Sequence, residues 1–290
     1  MKELSIRDRT LKIISGYDFL VKKKYGQNFL VKEEVFEKIV SAAGVNGDDV
    51  VLEIGPGIGA LTGYLARSAR SVIAVEIDKN LIPILEETLA DHDNVEIINE
   101  DILKVNLDEL VRERGIERPL KVVANLPYYI TTPIIMELLK SSVEFGGMTF
   151  MVQKEVAERM KAKPRSKAYG ALTLAVQYYG DVSIAAEVPP GAFIPEPEVD
   201  SAVVHISMPK AQPIKVGNAE LMFKLIRASF NQRRKTLYNG IKNFPELNYS
   251  KEAVTKNIER LGHGAMVRGE ELTLEEFAKL ADFFDMESAL

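Results

Sequence analysis

The residues with the clearest chemical role in this sequence are three glycines, Gly55, Gly57 and Gly59, between a run of apolar residues and a predicted helix. Glycines at a strand-to-helix turn let the backbone approach a ligand closely, because they adopt dihedral angles that a Cβ atom disfavours. Gly55, Gly57 and Ala60 also fit the Gly-x-Gly-x-x-Ala fingerprint of dinucleotide sites, and Glu76 follows at a spacing of about 20 residues. The glycines alone therefore leave open a dinucleotide site and an ordinary α/β turn with a chance acid.

A second carboxylate, Asp101, changes the interpretation of these glycines. It follows the third predicted strand, and in a doubly wound sheet the carboxyl ends of the strands converge on one crevice. We expect Gly55, Glu76 and Asp101 to face one ligand, with one acid for ribose hydroxyls and one for an adenine amino group. Such an acidic site tolerates the sulfonium of S-adenosylmethionine and repels a pyrophosphate. Asp101 taken alone is equally explained as a helix N-cap.

The tetrapeptide Asn125-Leu126-Pro127-Tyr128 ends the fourth predicted strand. It resembles the Asn-Pro-Pro-Tyr type of motif found in methyltransferases that act on amino nitrogens of bases. The alternative is a strand-ending turn with a core tyrosine. Four matching residues at the end of the expected strand favour the motif.

The residue types of the tetrapeptide suit methylation of an exocyclic amine. The lone pair of adenine N6 is delocalised into the ring, which makes this nitrogen a poor nucleophile. If the side-chain oxygen of Asn125 and the carbonyl of Leu126 accept hydrogen bonds from its two N–H groups, the lone pair turns toward the sulfonium methyl group. Pro127 stiffens the turn, and Tyr128 stacks on the base, a contact of roughly 1–3 kcal/mol. The base must be flipped out of a helix or offered from a loop. Phe193 is the candidate for a second stacking aromatic; its alternative role is an apolar plug for its own loop.

The order of predicted elements indicates an α/β fold. Strands are predicted at 50–54, 71–77, 95–98, 120–124 and 148–152, with helices at 60–69, 81–89 and 133–139, and this alternation is typical of a doubly wound sheet. The proline-rich segment 188–197 is predicted to be a loop. A closing strand at 202–206, a linker at 208–218 and helical spacing from Ala219 onward follow. We expect a Rossmann-like methyltransferase domain at 1–207 and a small all-helical domain at 208–290.

Composition narrows the classes of function. The 290 residues are 46% hydrophobic and 27% charged, with no cysteine, which excludes disulfides and thiolate metal sites. The histidines His92, His205 and His263 lie far apart, so no metal site is expected. No apolar run approaches the ~18 residues that span a bilayer, and the N-terminus lacks the apolar core of a secretory signal. We expect a soluble cytoplasmic protein without a membrane partner.

Basic residues are clustered although the net charge is −5. The clusters are Lys22, Lys23 and Lys24; Lys154, Arg159, Lys161, Lys163, Arg165 and Lys167; and Arg233, Arg234 and Lys235. Any one cluster is explained as a solvated surface. Three clusters in an acidic chain favour a localised face for backbone phosphates.

Taken together, the motifs resemble the ribosomal RNA adenine dimethylase family, and within it the members that modify the bacterial small subunit. The segments that carry the resemblance extend nearly from end to end of the chain: Lys24–Leu30, Glu53–Gly59, Glu76, Asp101, Asn125–Tyr128, Phe193–Ala202 and Phe230–Leu237.

The resemblance implies a cofactor set and a substrate. The residues implied in contact with S-adenosylmethionine are Asn28, Leu30, Gly55, Gly57, Glu76, Asp101 and Asn125. The implied reaction is N6,N6-dimethylation of two adjacent adenosines in the 3′-terminal hairpin of small-subunit (16S) ribosomal RNA, within an assembling subunit that the helical domain helps to hold. A monomer is expected.

Four other classes of protein are alternatives to this interpretation. A large-subunit adenine methylase of the macrolide-resistance type would share the fold and chemistry, but Leu126 and the segment Phe193–Ala202 favour the small-subunit enzyme. A DNA adenine methylase would need a separate base-reading domain. An NAD-dependent oxidoreductase would give Asn125–Tyr128 no role. A non-catalytic assembly factor would not need Asn125 and Asp101, although a second, assembly-checking role remains compatible with them.

Overall fold

The computed structural model describes residues 4–16, 27–209 and 214–288, which form two compact units. The first unit comprises Met1–Ala157 and Val182–Met208, and the second comprises Glu158–Asp181 and Pro209–Leu290. The chain passes from the first unit to the second for the last time between residues 208 and 209, one residue from the predicted boundary between 207 and 208. The segment Glu158–Asp181, which the prediction placed in the first domain, belongs to the second unit.

The described residues contain nine strands, and all of them lie in the first unit except the first residue of β7. In chain order they are β1 (Phe29–Leu30), β2 (Val50–Ile54), β3 (Ser71–Val75), β4 (Val95–Ile98), β5 (Leu120–Asn125), β6 (Phe145–Gln153), β7 (Asp181–Val188, whose first residue is grouped with the second unit), β8 (Phe193–Ile194) and β9 (Ser201–Ser207). Seven of them form one sheet in the order β4-β3-β2-β5-β6-β9-β7, and β1 pairs with β8. The strands predicted from the apolar runs are confirmed.

Helices alternate with these strands in the first unit. They are α1 (Ile6–Gly16), α2 (Glu33–Ala43), α3 (Ala60–Ser68), α4 (Ile82–Thr88), α5 (Leu107–Glu113) and α6 (Thr131–Lys140), followed by α7 (Lys154–Met160), which crosses into the second unit. Buried residues of α2, among them Phe36 and Ile39, share one core with Leu65 of α3 and with Val51 and Val123 of the sheet. The alternation and the packing confirm the predicted doubly wound α/β class.

The sheet has its switch point between β2 and β5. From β2 the sheet continues through parallel β3 and β4 on one side and through parallel β5 and β6 on the other. Where the strand order reverses, helices diverge and leave a crevice beyond the carboxyl ends of the strands. All five residues of β2 are buried, as expected of a central parallel strand that is covered on both faces.

The closing part of the sheet is antiparallel. Strand β9 pairs antiparallel with β6, with Gln153 opposite Ser201 and Met148 opposite Ile206, so the start of β9 lies beside the carboxyl end of β6. Strand β7 is the edge next to β9 and was not predicted. Its residues alternate between exposed and partly buried, and this one-sided pattern is weaker than the apolar runs of the central strands.

The proline-rich segment departs from its prediction as a simple loop. Phe193 and Ile194 form β8, with Phe193 opposite Leu30 and Ile194 opposite Phe29, and Val31 N donates to the Ala192 carbonyl at 2.8 Å. Both residues precede Pro195, so their backbone N–H groups remain available for a ladder. The segment is therefore tied to the strand that precedes α2.

The second unit is helical, as predicted. Its helices are α8 (Ala171–Tyr179), α9 (Ala219–Asn231), α10 (Leu237–Lys242), α11 (Lys251–Arg260) and α12 (Leu274–Ser288). Their apolar faces form one core. Tyr169 is part of this core and its hydroxyl donates to the Leu272 carbonyl at 2.8 Å, which explains why Glu158–Asp181 belongs here. Within the described ranges, no helix is long and apolar enough to cross a membrane.

Candidate active site

A cleft lies at the carboxyl ends of the central strands. Its wall includes residues of the glycine motif and of the tetrapeptide. These residues lie on or next to β1 and at the ends of β2, β3 and β5. The predicted site residues on its wall are Asn28, Leu30, Gly55, Gly57, Glu76, Asn125, Leu126, Pro127 and Tyr128. Asp101 and Phe193 are not on this wall. The part Lys24–Gly26 of the first motif lies outside the described residues, but the adjoining Gln27 lines the cleft.

The glycine turn follows β2 and holds Glu76 by a backbone N–H group. Gly55 and Gly57 have φ angles of 69° and 62°, in the left-handed region that residues with a Cβ rarely adopt. A Cβ at Gly57 would also lie 3.2 Å from the Phe29 ring. Gly57 N donates to Glu76 Oε2 at 3.2 Å, and Asp78 N donates to Oε1 at 2.8 Å. The carboxylate is thereby fixed at the end of β3.

Burial dominates the electrostatics of Glu76. It raises the pKa of the carboxyl to about 7, although the N–H groups of Asp78 and Gly57 act in the opposite direction. Hydroxyl groups of a bound ribose would supply further donors to the ionised form, so this carboxylate is chemically suited to a nucleoside. The arrangement fits the predicted ribose-binding acid.

A second acid in the cleft, Glu53, begins the segment Glu53–Gly59 and is not among the predicted site residues. It is 1% exposed, it lines the cleft, and its Oε2 atom has no hydrogen-bond partner among the described residues. Burial raises its pKa to about 8; the hydroxyl of Thr62 acts in the opposite direction, and the charge of Glu76 acts in the same direction as burial. The sequence offered a signal, because Glu53 is the only ionisable residue in the buried run Val50–Ile54.

Asp101 lies beside the cleft in an adjoining depression. Its Oδ1 accepts a hydrogen bond from Leu103 N at 3.1 Å, so the N-cap role considered as its alternative is present. The depression is also lined by Asn99 and Ile77, and Ile77 lines the main cleft as well. Ile77 is 44% exposed and connects the two spaces. A ligand held by Glu76 and Asp101 would cover this side chain, which is not among the site residues predicted from the sequence.

The tetrapeptide is held at both of its polar ends. Asn125 is the last residue of β5, and its Nδ2 donates to the Asn28 carbonyl at 3.1 Å. A carbonyl accepts and never donates, so this bond fixes which side of the amide faces Asn28 and leaves Oδ1 on the other side. Leu126 N donates to the Met151 carbonyl at 3.1 Å, and the Pro127 carbonyl accepts from Thr131 Oγ1 at 3.0 Å.

Two tyrosines follow within the same turn. The Tyr128 hydroxyl is 2.5 Å from Ser201 Oγ, and burial raises the pKa of this phenol. Tyr129 also lines the cleft and is 58% exposed at its mouth. Tyr128 is thus one of the residues that line the cleft, and its stacking on a base stays a prediction.

Phe193 does not occupy the predicted position. It is 1% exposed and packs in the core with Phe36, Ile39 and Val203. Its backbone pairs with Leu30 of β1. This burial fits the alternative role of Phe193, an apolar plug for its own loop; Phe193 is not among the residues that line the cleft, and its stacking role stays a prediction.

The sequence predicts three clusters of basic residues that bind phosphate. The second unit contains most of the second cluster and all of the third, and it brings them close together. Arg233 Nη2 donates to the Ser166 carbonyl at 3.2 Å. Glu270 contacts both segments: its Oε2 accepts from Arg233 Nε at 2.9 Å, and its carbonyl accepts from Arg165 N at 2.8 Å. We use the name basic surface for the exposed residues Lys161, Lys163, Arg165, Lys167, Arg233, Arg234 and Lys235. Lys154 lies in the first unit and pairs with Glu187. Lys22, Lys23 and Lys24 lie outside the described residues.

The fold and the cleft together define a class I methyltransferase, a class whose methyl donor is S-adenosylmethionine. Comparison with known families gives the finer assignment. The model of the family described as ribosomal RNA adenine dimethylase matches residues 18–285. The chain belongs to the ribosomal RNA adenine dimethylase family.

Individual relatives agree with this assignment. The chain is 58% identical over 278 residues to ribosomal RNA small subunit methyltransferase A of Lachnoclostridium phytofermentans, with 96% of each chain covered. It is 46% identical to the protein of the same name from Listeria innocua, with 97% of each covered. Among solved structures, a dimethyladenosine transferase from Plasmodium falciparum matches with a TM-score of 0.76 and 27% identity, covering 90% of this chain and 98% of that one. The 23S rRNA methyltransferase ErmE matches with a TM-score of 0.66 and 26% identity, covering 89% and 100%.

Proposed function

We propose that this protein transfers methyl groups from S-adenosylmethionine to N6 of two adjacent adenosines in the 3′-terminal hairpin of small-subunit ribosomal RNA. The observation that carries the proposal is the orientation of Asn125 on the wall of the cleft. Its Nδ2 is occupied by the Asn28 carbonyl, so Oδ1 is the atom left for a substrate amine. The small-subunit names of the relatives at 58% and 46% identity support the choice of substrate.

The residues proposed to hold S-adenosylmethionine are Asn28, Leu30, Gly55, Gly57, Glu76, Asp101 and Asn125. Their chemistry fits the ligand: the glycine turn leaves room for close approach, Glu76 suits ribose hydroxyls, and Asp101 suits an adenine amino group. When bound, S-adenosylmethionine supplies an electrophilic methyl carbon on a cationic sulfonium. A bound cation favours the ionised forms of Glu53 and Glu76, whereas a pyrophosphate would oppose them, so these acids suit a cation.

The target base is proposed to bind against the tetrapeptide. Asn125 Oδ1 and the Leu126 carbonyl accept the two N–H bonds of N6, which turns the nitrogen lone pair away from the ring, and Tyr128 stacks on the base. Positioning provides most of the rate enhancement in such an arrangement. No strong general base is required, because the alkylated nitrogen is acidic and loses its proton to water.

Dimethylation places a further demand on this pocket. After one transfer N6 retains a single N–H, so one of the two acceptors loses its partner. Stacking against Tyr128 then becomes the main grip on the base, at roughly 1–3 kcal/mol. The pocket must also accept a methyl group where a hydrogen bond had been.

The basic surface of the second unit is proposed to hold ribosomal RNA. Lysine and arginine make most phosphate contacts in nucleic-acid complexes and give affinity without base specificity. No salt bridge joins Arg234 or Lys235 to a carboxylate of the described residues, so their charge remains for phosphates. Sequence selection then falls to the cleft. We further propose that the protein acts as a monomer on an assembling subunit in the cytoplasm.

The alternative substrate is large-subunit ribosomal RNA. It is favoured by one observation, the structural match to the 23S rRNA methyltransferase ErmE. That relative is 26% identical, whereas the relatives named for the small subunit reach 58%. The identities therefore support the small subunit.

Methyl transfer from labelled S-adenosylmethionine tests the proposal. Unmethylated small subunits, large subunits and duplex DNA are parallel substrates, and the products are digested to nucleosides. We expect dimethyladenosine from small subunits only, with activity lost in Asn125→Ala. Label confined to large subunits would transfer the assignment to the alternative. No transfer to any substrate, despite binding of the methyl donor, would contradict the adenosine proposal altogether.

A further inference from the structure

One hydrogen bond joins the tetrapeptide, which follows β5, to β9, the strand two positions from β5 in the same sheet. The Tyr128 hydroxyl lies 2.5 Å from Ser201 Oγ, and Ser201 is 0% exposed. Ser201 is the first residue of β9 and stands opposite Gln153 of β6. Its backbone is therefore held by the sheet ladder, whereas Tyr128 follows the end of β5 in a turn.

Tyr128 is only partly buried, so packing alone does not define where its ring lies. A phenol fixed at its hydroxyl end by a rigid strand loses the freedom to rotate out of the cleft. The other polar end of the tetrapeptide has a similar restraint, because Asn125 is held by the Asn28 carbonyl at 3.1 Å. The two hydrogen bonds together fix the acceptor and the stacking ring relative to each other.

We propose that Ser201 is a positioning residue, which acts through Tyr128 to hold the ring on the target base for the second methyl transfer. This inference rests on the proposed function of the cleft. It predicts a specific fault when the bond is lost. The first transfer is supported by two N–H acceptors, whereas the second depends more on the ring, so the monomethylated base leaves before it is methylated again.

A double-mutant cycle on small subunits tests the bond. Ser201→Ala removes one partner, and Tyr128→Phe keeps the stacking ring but removes the other. We expect each variant to lower kcat for dimethyladenosine roughly 10-fold and to release monomethyladenosine. The double variant should lose no more than either single one, because both changes delete the same bond. The KM for S-adenosylmethionine should stay within about twofold of the wild-type value.

Thr149→Val is the matched control. Thr149 is equally buried, lies on β6, and its Oγ1 is 2.9 Å from His205 Nδ1 of β9. This variant therefore loses a buried hydroxyl contact of the same strand, β9, without touching the tetrapeptide. We expect a loss of thermal stability without monomethyladenosine.

Three results would overturn the inference. They are losses that multiply in the double variant, monomethyladenosine from Thr149→Val in equal amount, and an unchanged product ratio in Tyr128→Phe. The last of these decides the matter even if Ser201→Ala does not fold. Absence of transfer by the wild-type protein is a different failure, which removes the proposed function and the inference with it.

Discussion

At the scale of single residues, the cleft is notable for the buried acid Glu53, which has no salt-bridge partner among the described residues. Glu53 is 1% exposed, and its Oε2 atom has no hydrogen-bond partner among the described residues. Burial of an ionised carboxyl is unfavourable unless a cation or several donors compensate. Such a site is suited to a cationic ligand, because binding of the cation favours the ionised form of the acid.

Glu53→Gln is expected to change how stability depends on pH. Burial raises the pKa of Glu53 from 4.5 to about 8, so the folded protein keeps a proton that the unfolded chain loses above its ordinary pKa. The free energy of unfolding therefore falls as pH rises from about 4.5 to about 8, by an amount on the order of a few kcal/mol. The glutamine variant lacks this contribution, and its free energy of unfolding should decline less over that interval.

Urea unfolding of the ligand-free protein at about pH 6 and about pH 8.5 measures the difference. Glu34→Gln is the control, because Glu34 has an exposed side chain and should leave the pH dependence of the wild type unchanged. Equal declines for the wild type and Glu53→Gln would contradict the assignment of a raised pKa to Glu53.

At the scale of elements, the short pair β1–β8 connects the proline-rich segment to the cleft. Leu30 of β1 lines the cleft and pairs with Phe193 of β8, and the carbonyl of Asn28, just before β1, holds Asn125. The buried ring of Phe193 thus supports the strand next to the carbonyl that orients the side-chain amide of Asn125. We therefore expect a substitution of Phe193 to affect methyl transfer indirectly, by moving β1.

Two substitutions of Phe193 separate packing from stacking. Phe193→Ala should cost about 3–5 kcal/mol of stability, since it leaves a cavity under β1. Phe193→Leu fills most of that space and should cost less than about 1.5 kcal/mol, with methyl transfer largely retained. Thermal unfolding and methyl transfer are measured on the same samples. Loss of transfer in Phe193→Leu at nearly unchanged stability would instead support the stacking role predicted from the sequence.

At the scale of the whole molecule, chemistry and phosphate binding are assigned to different units. The cleft is built from residues of the first unit, whereas the basic surface belongs to the second. The net charge of −5 means that the basic residues act locally and not through the overall charge of the protein. Binding of RNA and binding of the methyl donor should therefore respond to different substitutions.

The double substitution Arg234→Ala/Lys235→Ala is expected to weaken binding to small subunits. Each lost phosphate contact lowers the salt dependence of the affinity by about one unit in a plot of log K against log salt. Filter binding at several salt concentrations measures the slope, and calorimetry should find S-adenosylmethionine affinity unchanged. Lys251→Ala/Lys279→Ala removes the same charge from exposed positions of the second unit outside the basic surface. An equal loss of affinity in this control would contradict a localised interface.

Much of the cleft was determined by the sequence itself. Gly55, Glu76 and Asn125 directly follow or end apolar runs, and parallel strands bring their carboxyl ends to one edge of the sheet. The residue types then defined the chemistry, since local spacing and the rules of sheet topology were sufficient to bring these residues together. The doubly wound fold and the helical character of the second unit followed from periodicity for the same reason.

Only the tertiary structure decided the contacts made between segments that are distant in the chain. The burial of Phe193, the bond between Tyr128 and Ser201, and the union of Ser166 with Arg233 each join residues more than 60 positions apart. Periodicity describes which face of an element is apolar, but it does not specify which partner that face meets or where a polar side chain in a turn points. Those choices depend on the packing of the whole unit, so the sequence identified the chemistry of this protein while the fold decided which residues support it.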